Sequence, residues 1–233
     1  MMKNIFGSLL IISVLISCNG KKNGNMLVHG TIDGLKKGTV YLQKLKDTVL
    51  VSVDSVSLNG LNTFTLTDNV KSPEIYNLTL SEKPDEIISF FGEKGEITIT
   101  TKLSKFAVGA KIKGSKNQEL LEEHEAMLRK FNDKQLDLLK EKFDAQKSNN
   151  SELLAKIEKE EHNLIKRKYL YATNFAIQHG KFEVAPYIAL TDLYYANVKL
   201  LDTVNKSLSK KVKKSKYGLE LKKFIKNIKK VEK

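Results

Sequence analysis

Cysteine is nearly missing from this chain: Cys18 is the single one among 233 residues. One thiol cannot form an internal disulfide, a Cys-x-x-Cys redox pair or a thiolate zinc site, so all three are excluded at once. The four histidines, His29, His124, His162 and His179, stand in neither His-x-x-x-His nor His-Glu-x-x-His spacing. A metal centre made from them would need convergence that the spacing does not announce, and the reading is no metal and no cofactor. No Gly-x-Ser-x-Gly elbow is present, so nucleophilic catalysis has no evident bearer. Gly34-Leu35-Lys36-Lys37-Gly38 is glycine-bounded and basic but lacks the Gly-Lys-Ser/Thr ending of a phosphate loop, and reads as a hairpin turn. Glu122, Glu123, Glu125, Glu160 and Glu161 lie among lysines on helix surfaces, which suits solvated, ion-pairing faces better than a glycosidase pair.

What is present begins at the N-terminus. Lys3 precedes an apolar run over residues 5 to 17 that is too short to span a bilayer, and Ser17 is a small residue before a cut. This is the pattern of a secretion signal. Leu15-Ile16-Ser17-Cys18 resembles the lipobox of bacterial lipoproteins. The resemblance implies cleavage between Ser17 and Cys18, acylation of Cys18, and a membrane anchor through that residue. Several acyl chains, at about 0.8 kcal/mol per buried CH₂, hold a protein firmly on a membrane surface. Residues 18–25 are polar and glycine-containing and read as a short tether.

With 41% hydrophobic and 8% aromatic residues the rest of the chain can bury a core. The net charge of +13 is concentrated: residues 181 to 233 carry 14 Lys/Arg against 5 Asp/Glu, while 115 to 180 carry 12 of each. An exported protein does not meet the chromosome, so nucleic acid is excluded. The partner expected for the basic end is an anionic surface, namely lipid headgroups, a cell-wall polymer or an acidic protein.

From Met26 the hydrophobic period is two. Strands are expected at 26–33, 39–45, 48–58, 63–67, 74–80, 86–91 and 96–101, separated by turn chemistry such as Asn59-Gly60, Ser72-Pro73 and Lys83-Pro84. The alternation slips near Asp54-Ser55-Val56, where a bulge or strand end would account for it. After Gly114 the period becomes helical, with Ser115 or Asn117 as cap, a break at Asn149-Asn150-Ser151 and a second helix closed by His179-Gly180. Three further helices follow, the first with Pro186 in its opening turn, the second over about 200–212 and the third over about 217–231. The fold class is therefore α+β: an antiparallel β-sandwich over 26–114, then a helical hairpin or bundle over 115–233 ending in a basic helix.

The succession Gly30-Thr31-Ile32, Val40-Tyr41-Leu42, Val53-Asp54-Ser55-Val56, Pro73-Glu74-Ile75-Tyr76, Phe90-Phe91-Gly92-Glu93-Lys94-Gly95 and Ile112-Lys113-Gly114-Ser115 resembles one family. It is the uncharacterised β-rich domain at the N-terminus of lipid-anchored, thioredoxin-like thiol:disulfide oxidoreductases of Gram-negative bacteria. In that family a thioredoxin domain usually follows a segment similar to Ser215-Lys216-Tyr217-Gly218. Here only Lys226 to Lys233 remain after Ile225, so no catalytic residue carries over.

Asp47-Thr48-Val49, Asp54-Ser55-Val56 and Asp202-Thr203-Val204 resemble an O-glycosylation sequon of exported proteins, which makes Thr48, Ser55 and Thr203 candidate acceptors. The expected function is that of a lipid-anchored accessory or binding lipoprotein, not an enzyme, on the outer membrane facing the periplasm. Tyr76, Phe90, Phe91, Tyr187, Tyr194 and Tyr195 are its candidate partner contacts. The alternative is a companion subunit that docks a separate thioredoxin-like oxidoreductase in trans.

Overall fold

The computed structural model describes residues 24–231. The expected signal region, the expected Ser17/Cys18 cleavage point and most of the expected tether lie outside the described residues.

Eight strands form two four-stranded sheets. They are β1 (Met26–Asp33), β2 (Lys37–Lys46), β3 (Val49–Asn59), β4 (Thr63–Asp68), β5 (Glu74–Leu80), β6 (Lys83–Gly92), β7 (Gly95–Lys102) and β8 (Lys111–Lys113). One sheet runs β4-β1-β7-β8, the other β3-β2-β5-β6. The pairing of β1 with β7 is parallel and the others are antiparallel. Every second residue of β1 faces inward, and Met26, Val28 and Ile32 meet Val40, Leu42, Tyr76, Leu78, Phe90, Ile97 and Ile99 in one core. Each such side chain, when fully buried, contributes about 1.5–3 kcal/mol, and this common face holds the sheets together. Gly30 keeps the inward slot under Phe64 open, because a Cβ there would collide with the Phe64 ring.

The phase slip in β3 is a bulge. Leu42 pairs with Asp54 but Gln43 with Ser52, which leaves Val53 as the extra residue, one position before the expected stretch. Val51 and Val53 are half-buried before the slip, Asp54 and Val56 after it. Turned inward, the Asp54 carboxylate accepts from the backbone N–H of Thr67 at 2.9 Å and ties β3 to the other sheet. Pro84, expected in a turn, lies in β6. That strand is at an edge, where a missing N–H costs no ladder bond.

Helix α1 (Lys116–Lys147) is capped by Ser115, whose Oγ accepts from Gln118 N–H at 3.1 Å. The other expected cap, Asn117, instead turns inward. Asn149 takes a left-handed φ of 50°, which asparagine tolerates, and Asn150 caps α2 (Ser151–Gln178) through Leu153 N–H at 3.0 Å. The pair forms the expected hairpin. Helices α3 (Val184–Thr191), α4 (Val198–Ser207) and α5 (Lys216–Val231) pack beside its proximal half. Helix α4 stops earlier than its periodicity suggested. Leu208 turns extended, and Ser209 N–H binds Gly180 C=O at 2.9 Å, so the stretch expected as a helix end becomes the 3-10 turn Val212–Lys214. Helix α5 packs through one side: Leu221 and Ile225 are buried and Phe224 and Ile228 are packed against the same core, while Val231 at its end is exposed.

The two halves are joined through β6. Phe91 is fully buried, yet it belongs to the helical core, edge-on to Tyr187 at 5.3 Å and to Tyr217 at 6.1 Å. Its N–H donates to Gln118 Oε1 at 2.9 Å, and Ile75 N–H donates to the Tyr217 hydroxyl at 2.9 Å. Asn117 bridges three segments, donating to Glu93 Oε2 and accepting from Val184 N–H, both at 2.9 Å. Among the described residues no helix is long and apolar enough to cross a membrane.

Candidate functional site

The junction opens on one side into a cleft of about 660 Å³. The end of β2, its turn and β3 supply Lys44, Leu45, Lys46, Asp47, Val51 and Val53; the β4–β5 connection and the first residue of β5 supply Asn69, Lys71, Ser72 and Glu74; the 3-10 turn and the start of α5 supply Lys214 and Lys216. A narrower limb of about 350 Å³ continues from it, sharing Lys71, Ser72 and Lys214 and adding Glu93, Lys94, Glu183, Lys211 and Ser215. Volumes of this size suit small-molecule or headgroup ligands.

Local chemistry places these groups. In the two-residue turn between β2 and β3, Asp47 adopts a φ of 56°, a conformation that its short polar side chain tolerates. Lys214 is presented by the 3-10 turn, which is pinned by the fully buried Val212. The turn closes tightly on α5 because Gly218 has no Cβ to strike the Val212 carbonyl. Ser215 Oγ donates to that carbonyl at 2.8 Å, and Ser72 Oγ accepts from Lys216 N–H at 3.3 Å. The N-terminus of α5 thus points its partial positive charge at the cleft.

Seven lysines face four carboxylates over the two limbs. Two of the lysines are engaged. Lys44 pairs with Asp68 and lies 3.6 Å from Glu74, while Lys216 donates to Glu74 at 2.6 Å and to the Leu45 carbonyl at 3.0 Å. Tyr76 donates to Asp68 at 2.6 Å. Burial would raise the Asp68 carboxyl, but hydrogen bonds from Lys44 and Tyr76 outweigh it and hold the group below the usual carboxylate range. Burial, then the neighbouring Asp68, pushes the Tyr76 hydroxyl well up. Among the described residues Lys46, Lys71, Lys94, Lys211 and Lys214 have no carboxylate at ion-pair distance. Glu183 is only 2% exposed, and its Oε1 has no hydrogen-bond partner. Burial raises its carboxyl above the ordinary value.

Residues 26–121 match a family described as a domain of unknown function, DUF4369. The matched stretch takes in the whole sandwich and the first residues of α1, less than half of the chain. No curated protein and no solved structure matches the chain.

The residues singled out in sequence fall in different places. Ser17 and Cys18 lie outside the described residues. Thr48 and Ser55 are exposed on the β2–β3 hairpin; Thr203 is exposed on α4, where its hydroxyl donates to Lys199 C=O at 2.8 Å. Tyr76, Phe90 and Phe91 are fully buried and so are not contacts for a partner. Their period-two alternation is the same whether a strand face meets a core or a ligand. Tyr187 is half-buried against Phe91, while Tyr194 and Tyr195 are exposed at 51% and 87%. The four histidines do not converge. His124 is buried with Nε2 2.7 Å from Asp192, His29 lies 3.1 Å from Thr65 Oγ1, His179 rests on Phe175, and His162 is exposed. Among the described residues no group of three or more His, Cys, Asp or Glu is arranged to hold a metal ion.

The cleft lysines escaped the sequence reading because they come from segments about 170 positions apart, as Leu45 and Lys216 show. One signal was available. Lys210, Lys211, Lys213 and Lys214 crowd a turn directly before a helix start, which is where a cation cluster and a helix N-terminus act together.

Proposed function

We propose that the protein is a lipid-anchored, periplasm-facing lipoprotein that binds a ligand or partner and performs no chemistry of its own. The observation that carries this reading is the junction cleft, with apolar walls at Leu45, Val51 and Val53 inside a ring of lysines contributed by both halves of the chain. Such a surface recognises; it lacks the pairing that a nucleophile requires. Its hydroxyls, Ser72 and Ser215, are bound to backbone groups and have no base at hydrogen-bond distance among the described residues. The lipobox resemblance at Cys18 supports the anchor. Thr48, Ser55 and Thr203, all exposed, remain proposed glycosylation acceptors.

The test uses the anchored full chain in Gram-negative cells. Palmitate label should enter the protein and be lost in Cys18→Ala. A photo-crosslinker in place of Lys46 should capture a partner that is lost when Lys71→Glu and Lys214→Glu are introduced. Label-free protein in the cytosol, or capture indifferent to the cleft lysines, would refute the reading. The resemblance of the sandwich stretch to the N-terminal domain of lipid-anchored thioredoxin-like proteins supports a second reading, a companion of a thioredoxin-like protein. A thioredoxin-fold protein crosslinked from Lys46 would select it.

A further inference from the structure

We infer that the narrower limb of the cleft holds a phosphate monoester whose apolar body lies against Leu45, Val51 and Val53 in the wider limb. The inference rests on the binding reading above and names its ligand class. Three features meet in the narrow limb. Lys71, Lys94, Lys211 and Lys214 supply positive charge without ion-pair partners among the described residues. The N-terminus of α5, with Lys216 N–H held by Ser72, adds its dipole in the same direction. Both call for an anion.

The third feature restricts which anion. Glu183 Oε1 is buried and has no hydrogen-bond partner, and an acceptor in that state costs free energy until a donor reaches it. Where it accepts, the donor that an anion brings to it must be the anion's own proton. Sulfate esters, phosphodiesters and carboxylates carry none near neutral pH. A phosphate monoester, with a second pKa of about 6, retains a P–OH in part of its population and keeps two further oxygens for the lysines. Lys71 and Lys214 border both limbs, so a head bound there leaves its substituent facing the apolar walls of the wider limb.

The experiment is calorimetric titration of the full chain in phosphatidylcholine nanodiscs with hexyl phosphate, hexyl sulfate and inorganic phosphate. Hexyl phosphate should bind about tenfold tighter than hexyl sulfate, the factor set by one hydrogen bond to a buried carboxyl. It should also bind at least about tenfold tighter than inorganic phosphate, because the alkyl chain is buried. Glu183→Gln keeps the shape and offers an amide donor, so it should erase the preference for phosphate over sulfate. Lys214→Ala, at an exposed residue, should weaken both esters by about tenfold. Equal binding of the two esters to the unmodified chain, or a preference that survives Glu183→Gln, would overturn the inference. So would hexyl phosphate that fails to bind, and this failure would leave the Cys18 labelling and Lys46 crosslinking results standing. Doping the nanodiscs with phosphatidic acid separates sources: displacement of hexyl phosphate identifies a membrane lipid, undisturbed binding a soluble ester.

Discussion

Phe91→Ala is the most searching test of how the two halves of the chain depend on each other. Phe91 is fully buried, and it leaves the outer face of the second sheet to enter the helical core between Tyr187 and Tyr217. Truncating a buried phenylalanine costs about 3–5 kcal/mol. Two edge-to-face contacts, each worth about 0.5–1.5 kcal/mol beyond burial, put this site toward the upper end. For a chain of this size the melting temperature should fall by roughly 10–15 °C. With a urea slope of about 2 kcal/mol per M, the midpoint should fall by roughly 2 M. The loss should also fall between the halves. Far-ultraviolet circular dichroism and tyrosine fluorescence, coincident for the unmodified chain trimmed to 24–233, should separate into two transitions in the variant. Phe90→Ala, on the neighbouring position facing Tyr76 in the sandwich, should destabilise without separating the probes in this way. A loss under about 1 kcal/mol for Phe91→Ala, with the probes still coincident, would refute the view that this ring couples the halves.

Two further variants probe the frame of the cleft and the start of the bundle. Asp68→Asn should remove a pH-dependent part of stability. The folded carboxyl lies below its ordinary value, so its pairing with Lys44 and Tyr76 contributes fully above the unfolded pKa of about 3.9 and fades as pH falls through the folded value. Denaturation midpoints of the two proteins should therefore differ at pH 7 and converge in strong acid; a constant gap would contradict the assignment. Ser115→Ala should cost about 1 kcal/mol, read as a melting shift of roughly 2–4 °C, because Gln118 N–H loses its acceptor at a cap that is 1% exposed.

Much of the architecture was legible because it follows from local rules. Met26–Asp33 and Glu74–Leu80 form strands with the expected ends, and Asn149-Asn150-Ser151 breaks one helix and caps the next. Ends set by distant partners were not legible. Helix α4 stops at Ser207 because Ser209 is claimed by Gly180, and Pro84 is tolerated in β6 because that strand happens to be at an edge. The candidate site is the extreme case. Lys44, Lys71 and Lys214 each read as an ordinary surface lysine, and Glu183 as one more acidic residue near a helix start.

By itself the amino-acid order determined the α+β succession, the break between helices, and the presence of a single thiol, because period, capping and composition act over a few residues and need no partner from afar. Only the tertiary structure decided that Phe91 would serve the helices and not the sandwich, that Asn117 would bridge three segments, and that lysines from both halves would surround a buried carboxyl with one unpartnered oxygen. Those outcomes depend on which faces meet when two sheets and a bundle close on one another, and hydrophobic patterning specifies that a face is buried without specifying against what.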